Sequence, residues 1–154
     1  MENISWNEYF MESAILAAKR SKDPCTKVGA VLVNKDNRII GSGYNGFPNG
    51  IPDHCLPWTK GSKNFEENKY AYVVHAEANC ILNSITADMS DCTMYVTLFP
   101  CSSCLKLIIQ KGIKKFIFKK YPNTNTLEKT GDYLATKKML SLTGITYHKY
   151  DPEL

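Results

Sequence analysis

The sequence has no long hydrophobic run, no internal repeat and no low-complexity segment. Its longest apolar run near the N-terminus covers residues 14–18, far short of the roughly 18 residues that a membrane span requires. Glu2 and Glu8 lie where a secretion signal would carry positive charge. The net charge is only +4 and the basic residues are scattered, so no basic face for nucleic acid is visible. We therefore expect a cytoplasmic protein that binds neither membranes nor nucleic acids.

The composition is that of an ordinary globular domain. Hydrophobic residues make up 44% of the 154 residues and charged residues 22%, which excludes a disordered or fibrous chain. This length suits a single domain over residues 1–154. Six cysteines are present, and in a reducing cytosol closely spaced cysteines more often bind metal or do chemistry than form disulfides.

The order of predicted elements indicates an α/β fold. The spacing of Ser5 and Glu8 is that of a capping box and predicts a first helix ending near Arg20. A hairpin over residues 28–43 follows. Residues 93–150 read as strand–helix–strand–helix–strand, which requires parallel pairing with right-handed crossovers. We predict a three-layer α/β/α domain with a mixed sheet of about five strands, the last of which are parallel.

Two short segments carry residues suited to a metal. Cys101 and Cys104 stand three apart at a predicted helix start, so their thiols lie on one face, near the positive end of the helix dipole. This pair alone could equally be a thioredoxin-like redox motif. His75 adds an imidazole, and three protein ligands with one open position are typical of catalytic zinc. We therefore predict one zinc ion per chain.

Glu77 follows His75 by two residues and is the candidate catalytic group. If His75 precedes the helix and Glu77 lies in its first turn, the imidazole can face the metal while the carboxylate adjoins the reacting water. Zinc lowers the pKa of water, and one carboxylate can then take the water proton, deliver it to the ring nitrogen N3 and protonate the departing amine. A purely structural role, with Glu77 favoured by the helix dipole, is the alternative.

Together these segments form the His-x-Glu and Pro-Cys-x-x-Cys signature of zinc nucleobase deaminases. Beyond that signature, nearly the whole chain resembles the deoxycytidylate (dCMP) deaminase family, a branch of the cytidine/deoxycytidylate deaminase superfamily. Four segments carry the resemblance, and they cover residues 43–50, 56–58, 75–79 and 94–101.

The resemblance implies a cytidine-deaminase-like fold and the hydrolysis of dCMP to dUMP and ammonia, which feeds thymidylate synthesis. It places Asn45 on the sugar and the backbone amide of Ala76 on the pyrimidine carbonyl. A role for Asn45 in a left-handed turn is the alternative. Lys27 and Tyr121 are the candidates for contact with the 5′-phosphate, and for both a plain surface position is the alternative.

The resemblance also implies regulation. Relatives with this loop are often homohexamers activated by dCTP with Mg²⁺ and inhibited by dTTP. The loop Gly43, Tyr44, Asn45 and Gly46 is the candidate allosteric element, with its glycines allowing two backbone states. An unregulated enzyme that keeps the loop only for its substrate is the alternative.

Three other readings stay open at this point. The chain could deaminate another base, such as free cytidine or deoxycytidine, guanine or the adenosine of tRNA. It could also be a zinc module without catalysis, although such a site would not need Glu77. A second zinc could bind near Cys25, His54 and Cys55, but their spacing is irregular.

Overall fold

The computed structural model describes residues 2–123 and 127–153 and contains one sheet of five strands. In these ranges no helix is long and apolar enough to cross a membrane. The helices and strands are α1 (Trp6–Ala18), β1 (Gly29–Val33), β2 (Ile39–Tyr44), α2 (Ala76–Leu82), β3 (Thr93–Leu98), α3 (Ser102–Gln110), β4 (Lys115–Lys120), α4 (Gly131–Leu142) and β5 (Thr146–Lys149).

The sheet is mixed, as predicted. Its strand order is β2-β1-β3-β4-β5. Strand β1 pairs antiparallel with both β2 and β3, and the hairpin turn between β1 and β2 places Asn37 in the left-handed region, at φ 58°. Strands β3, β4 and β5 are parallel, because α3 and α4 each return the chain to the same end of the sheet. The prediction for the second half of the chain is confirmed.

Helices cover both faces of the sheet, which gives the predicted three layers. On one face, α1 buries Phe10 and Met11 against Val31 and Tyr95. The predicted cap of this helix is present, since the Ser5 hydroxyl accepts a hydrogen bond from the backbone of Glu8. The other face holds the larger core cluster, to which α2, α3 and α4 all contribute buried side chains.

Helix α2 lies directly against strand β2 because glycine occupies the points of contact. A Cβ atom on Gly43 would lie 2.3 Å from the backbone nitrogen of Cys80 and 2.6 Å from the carbonyl oxygen of Ala76. Gly41 approaches the end of the helix in the same way, since a Cβ atom placed on it would lie 2.7 Å from the carbonyl oxygen of Cys80. This close packing fixes the position of the α2 N-terminus, where His75 lies.

The connection between β2 and α2 is folded into short 3-10 turns at Asp53–Cys55, Phe65–Glu67 and Lys69–Ala71. Its end is held by a two-way backbone bridge between Gly46 and Val74. The connection therefore forms a wall beside the N-terminus of α2.

Candidate active site

Three metal-ligand side chains meet where the N-termini of α2 and α3 face each other. His75 is the N-cap residue of α2, Cys101 is the N-cap residue of α3, and Cys104 lies in the first turn of α3. The Nδ1 atom of His75 is 3.4 Å from the Sγ atom of each cysteine. The structure thus brings together the three residues that the sequence predicted as zinc ligands.

The spacing of these atoms fits a zinc ion. Zinc–sulfur bonds of about 2.3 Å and zinc–nitrogen bonds of about 2.0–2.1 Å at tetrahedral angles place sulfur and nitrogen about 3.5 Å apart. All ligand atoms of the three residues lie within 4.8 Å of one another. Two thiols and one imidazole are also the donor types that zinc prefers.

The thiols are chemically unequal. Hydrogen bonds from Cys104 and then from His75 lower the pKa of the Cys101 thiol to about 4, despite its burial. The hydrogen bond to Cys101 and then burial raise the pKa of Cys104. The hydrogen bond with Cys101 also raises the pKa of His75. These shifts favour the thiolate form of Cys101, which is the form that binds a metal ion.

Glu77 lies in the first turn of α2 and is 4% exposed. Burial is the main cause that raises the pKa of its carboxyl group, to which the nearby Cys101 thiolate adds. A carboxyl group whose pKa is raised by burial holds a proton more readily than a free one, which suits a group that takes a proton and later gives it away. Glu77 also lies beside the three metal-ligand side chains, where a group that takes a proton from a metal-bound water must lie.

A cavity of about 240 Å³ opens onto this group. Its lining includes His75, Glu77 and Cys101, together with a polar set that the sequence did not single out as a whole. The residues of this polar set are Asp23, Thr26, Asn45, Lys69 and Tyr70, and aromatic and apolar side chains such as Phe99, Val73 and Tyr133 also line the cavity.

Asn45 lines the cavity and is 6% exposed. Its Oδ1 atom accepts a hydrogen bond of 2.9 Å from the backbone of Val28, and its Nδ2 atom donates one of 2.9 Å to the carbonyl oxygen of Thr26. Its φ is not positive, so the alternative role in a left-handed turn is wrong. The side chain is held in one orientation, with one lone pair of Oδ1 still available.

Of the other predicted substrate residues, one lines the cavity and two do not. Ala76 begins α2 and lines the cavity. Lys27 is exposed and is not among the residues that line the cavity. Tyr121 is 37% exposed and packs against Phe99 and Phe118, with ring centroids 5.1 and 4.8 Å apart, and it too lies outside the lining set. The phosphate roles of Lys27 and Tyr121 stay predictions.

A buried ion pair joins two walls of the cavity. The ammonium nitrogen of Lys69 is 2.6 Å from Asp23 Oδ2, and the two side chains are 7% and 2% exposed. No sequence pattern marks this pair, because Lys69 is one of several lysines in a long polar connection.

Asp132 is a second residue that sequence reasoning missed. It lies in the first turn of α4, and its carboxylate accepts hydrogen bonds from the backbone and the hydroxyl of Ser102. It lines the cavity beside Cys101. Thus a residue from the neighbouring helix caps α3 next to the metal ligands.

A second cavity of about 310 Å³ lies on the other side of the loop after β2. Its lining includes Arg20 and Lys22, the aromatic pair Phe47 and Trp58, and Asn79 of α2. Tyr44, Asn45 and Gly46 also line it, so Asn45 lies between the two cavities.

The structure does not support the predicted glycine hinge in this loop. Gly43 is paired with Ala30 in the sheet and packs against α2 without room for a Cβ atom. Gly46 is bridged to Val74 through both backbone groups. Neither glycine has a positive φ, so both are fixed by pairing.

No second zinc cluster forms near Cys25, His54 and Cys55. Among residues 2–123 and 127–153, the one group of three or more suitable side chains is His75, Cys101 and Cys104. Cys25 and Cys55 are exposed free thiols.

Comparison with known proteins agrees with this geometry. Residues 4–120 match the family model described as the cytidine and deoxycytidylate deaminase zinc-binding region. Deoxycytidylate deaminase from Mus musculus is 48% identical over 150 residues, covering 97% of this chain and 82% of the mouse protein. The human deoxycytidylate deaminase is 47% identical with the same coverage. The fold resembles the crystal structure of dCMP deaminase from the cyanophage S-TIM5 in complex with dCMP and dUMP, with a TM-score of 0.71, 24% identity, and coverage of 97% and 100% of the two chains.

Proposed function

Because the chain belongs to the cytidine and deoxycytidylate deaminase family, we infer that it catalyses the hydrolytic deamination of dCMP to dUMP and ammonia. One observation carries this inference: a buried carboxyl group, Glu77, adjoins the His75, Cys101 and Cys104 group at a cavity. A zinc module used only for structure would not need that carboxyl group.

Three residues would hold the zinc ion, namely His75, Cys101 and Cys104. When bound, zinc supplies a hydroxide nucleophile near neutral pH by lowering the pKa of water. Glu77 would move the protons: it takes one from the attacking water and gives it to N3 of the pyrimidine, and it later takes one from the hydroxyl group added at C4 and gives it to the departing amine. Its burial raises the pKa of the carboxyl group, which favours the protonated form that donates a proton.

The walls of the cavity would orient the nucleotide. The backbone amide of Ala76, at the start of α2, can donate to the pyrimidine carbonyl. Asn45 can accept from a sugar hydroxyl through Oδ1, because its Nδ2 atom is already engaged by the protein. Val73 and Phe99 provide apolar surface against the base. Contacts of Lys27 and Tyr121 with the phosphate belong to the same proposal but are not supported by the lining of the cavity.

A turnover assay with dCMP, deoxycytidine, dCTP and adenosine tests this function. We expect dCMP to be preferred, since phosphate donors remain unpaired when a nucleoside binds. Equal efficiency on dCMP and deoxycytidine would favour a cytidine-deaminase-like role, and preferred turnover of adenosine would contradict the proposal.

The second cavity supports a regulatory role for the loop after β2. Arg20 and Lys22 supply positive charge for the phosphates of a nucleotide such as dCTP, with accompanying Mg²⁺, or dTTP. Asn79 links this cavity to the active site, because it belongs to α2 and donates a hydrogen bond of 2.8 Å to the carbonyl oxygen of Tyr44. Glu77 lies two residues before it in the same helix. An effector would therefore act on α2 and Asn45 rather than through a glycine hinge.

Self-association into a homo-oligomer, with a hexamer favoured, is part of the same proposal. Large apolar side chains stay exposed on the helices, including Leu82 at 76%, Leu107 at 42% and Leu134 at 55%. Burial of such side chains between subunits would stabilise an oligomer. Supply of dUMP for thymidylate synthesis and a cytoplasmic location remain predictions from the sequence.

A further inference from the structure

Among the residues that the structure describes, the lining of the substrate cavity includes one lysine, Lys69, and no arginine. A nucleoside monophosphate carries its negative charge on the phosphate, and charge-assisted hydrogen bonds to phosphate are among the strong ones. We propose that Lys69 binds the 5′-phosphate of the substrate and thereby sets the preference for a nucleotide over a nucleoside. This inference rests on the proposed function.

The contacts of Lys69 leave part of its ammonium group free for a ligand. An ammonium group has three N–H donors. One of them is directed to Asp23 Oδ2 at 2.6 Å, and the described residues contain no further hydrogen-bond acceptor for Lys69. The Lys69 side chain is only 7% exposed, so leaving its remaining donors without a partner costs free energy.

The position of Lys69 is maintained from both sides. Its backbone nitrogen donates to the carbonyl oxygen of Thr59 at 2.8 Å, and its own carbonyl oxygen accepts from the backbone of Val73 at 2.9 Å. Asp23 holds the other end of the side chain. A long flexible lysine is thus ordered before the substrate arrives, which lowers the entropy cost of binding.

Asp23 also accepts hydrogen bonds from groups other than Lys69. The backbone amides of Cys25 and Thr26 donate to Oδ1 at 2.8 and 3.1 Å, and Asn45 Nδ2 lies 3.5 Å from Oδ2. The same carboxylate therefore orients both the candidate phosphate ligand, Lys69, and the candidate sugar ligand, Asn45.

The test compares Lys69→Met with wild type on dCMP and on deoxycytidine, with zinc content and melting temperature measured for each protein. We expect kcat/KM for dCMP to fall about 10–150-fold, the range for one hydrogen bond to a charged group, mainly through KM. Turnover of deoxycytidine should change much less, so the ratio of kcat/KM for dCMP to kcat/KM for deoxycytidine should fall steeply. Lys69→Arg, which keeps the charge, should restore part of that ratio.

Two further variants make the result decisive. Lys63→Met removes an exposed lysine from the same connection and outside the cavity, and it should leave the ratio unchanged. The double variant Asp23→Asn, Lys69→Met removes both buried charges, so it avoids leaving Asp23 unpaired and should also show the collapsed ratio.

An equal loss for dCMP and deoxycytidine in folded, zinc-loaded variants would show that Lys69 only maintains the structure and would overturn the proposal. A collapsed ratio in Lys27→Met but not in Lys69→Met would overturn it as well, in favour of Lys27. Failure of the proposed function is distinguishable, since the wild-type enzyme itself would then not prefer dCMP.

Discussion

The carboxylate of Asp132 holds the N-terminus of helix α3 through Ser102. Its Oδ1 atom lies 2.6 Å from the Ser102 hydroxyl oxygen and 3.2 Å from the Ser102 backbone nitrogen. Cys101, the residue before Ser102, has no side-chain cap of its own. A negative group at this helix start also complements the helix dipole.

Removal of this carboxylate should weaken the metal site. We expect Asp132→Ala to cost about 0.5–2 kcal/mol of stability, as loss of a helix cap does, and to lower zinc affinity about 10–100-fold, as loss of a supporting residue does. Asp132→Asn keeps an acceptor oxygen and should recover most of both. Glu128→Ala, an exposed acid nearby, is the control. Unchanged zinc affinity in folded Asp132→Ala, measured by competition with a chelator, would contradict this role.

Zinc binding should depend on His75, Cys101 and Cys104 and not on the exposed cysteines. We expect about one zinc per chain, lost in Cys104→Ala together with activity, because two remaining ligands bind the ion weakly. The matched control is Cys25→Ser with Cys55→Ser, which removes two exposed thiols and should keep the zinc. Metal analysis and activity after chelation check both statements. Full turnover by rigorously metal-free protein would refute the mechanism.

Glu77→Gln should separate binding from chemistry. Glutamine keeps the size of the side chain but cannot move a proton, so zinc content should stay near one per chain while turnover falls. General acid–base groups contribute about 10²–10⁴-fold, and we expect a loss at the upper end because Glu77 serves several steps. Titration with dUMP should show binding close to wild type. Turnover near the wild-type rate would assign the proton transfer to another group.

Gly43→Ala should displace helix α2. The new Cβ atom would lie 2.3 Å from the Cys80 backbone nitrogen, and backbone cannot yield as a side chain can. We expect a loss of about 1–3 kcal/mol, as in overpacked cores, and a lower kcat because His75 and Glu77 move with the helix. Gly144→Ala has open space around it and is the control. Urea denaturation of both variants measures the difference, and equal stability would contradict the packing argument.

Effector control should depend on the second cavity. We expect a sigmoidal dCMP saturation curve that dCTP with Mg²⁺ makes hyperbolic and dTTP suppresses, with effects of about 5–150-fold in affinity for a coupling of about 1–3 kcal/mol. Arg20→Met, at the edge of that cavity, should weaken both effects and leave zinc content unchanged. Identical hyperbolic curves in all conditions would mean that the enzyme is unregulated.

Several features of this protein could be predicted from its sequence because they depend on local chemistry. The helix start at Ser5 and the parallel second half are short-range patterns of capping and hydrophobic spacing, and the structure confirms both. The prediction that His75, Cys101 and Cys104 act together rests on ligand type and on position at helix starts, and the structure brings the three side chains together.

Other features were decided by the tertiary structure alone. Lys69 meets Asp23 across 46 residues of sequence, and Ser102 meets Asp132 across 30. No local pattern marks either pair, because a lysine in a polar connection and an acid in a first helical turn are common surface features. The glycine at position 43 looked like a hinge in the sequence, whereas the approach of α2 makes it a packing site. Burial and long-range contact gave these residues their roles, and both arise only once the sheet has assembled.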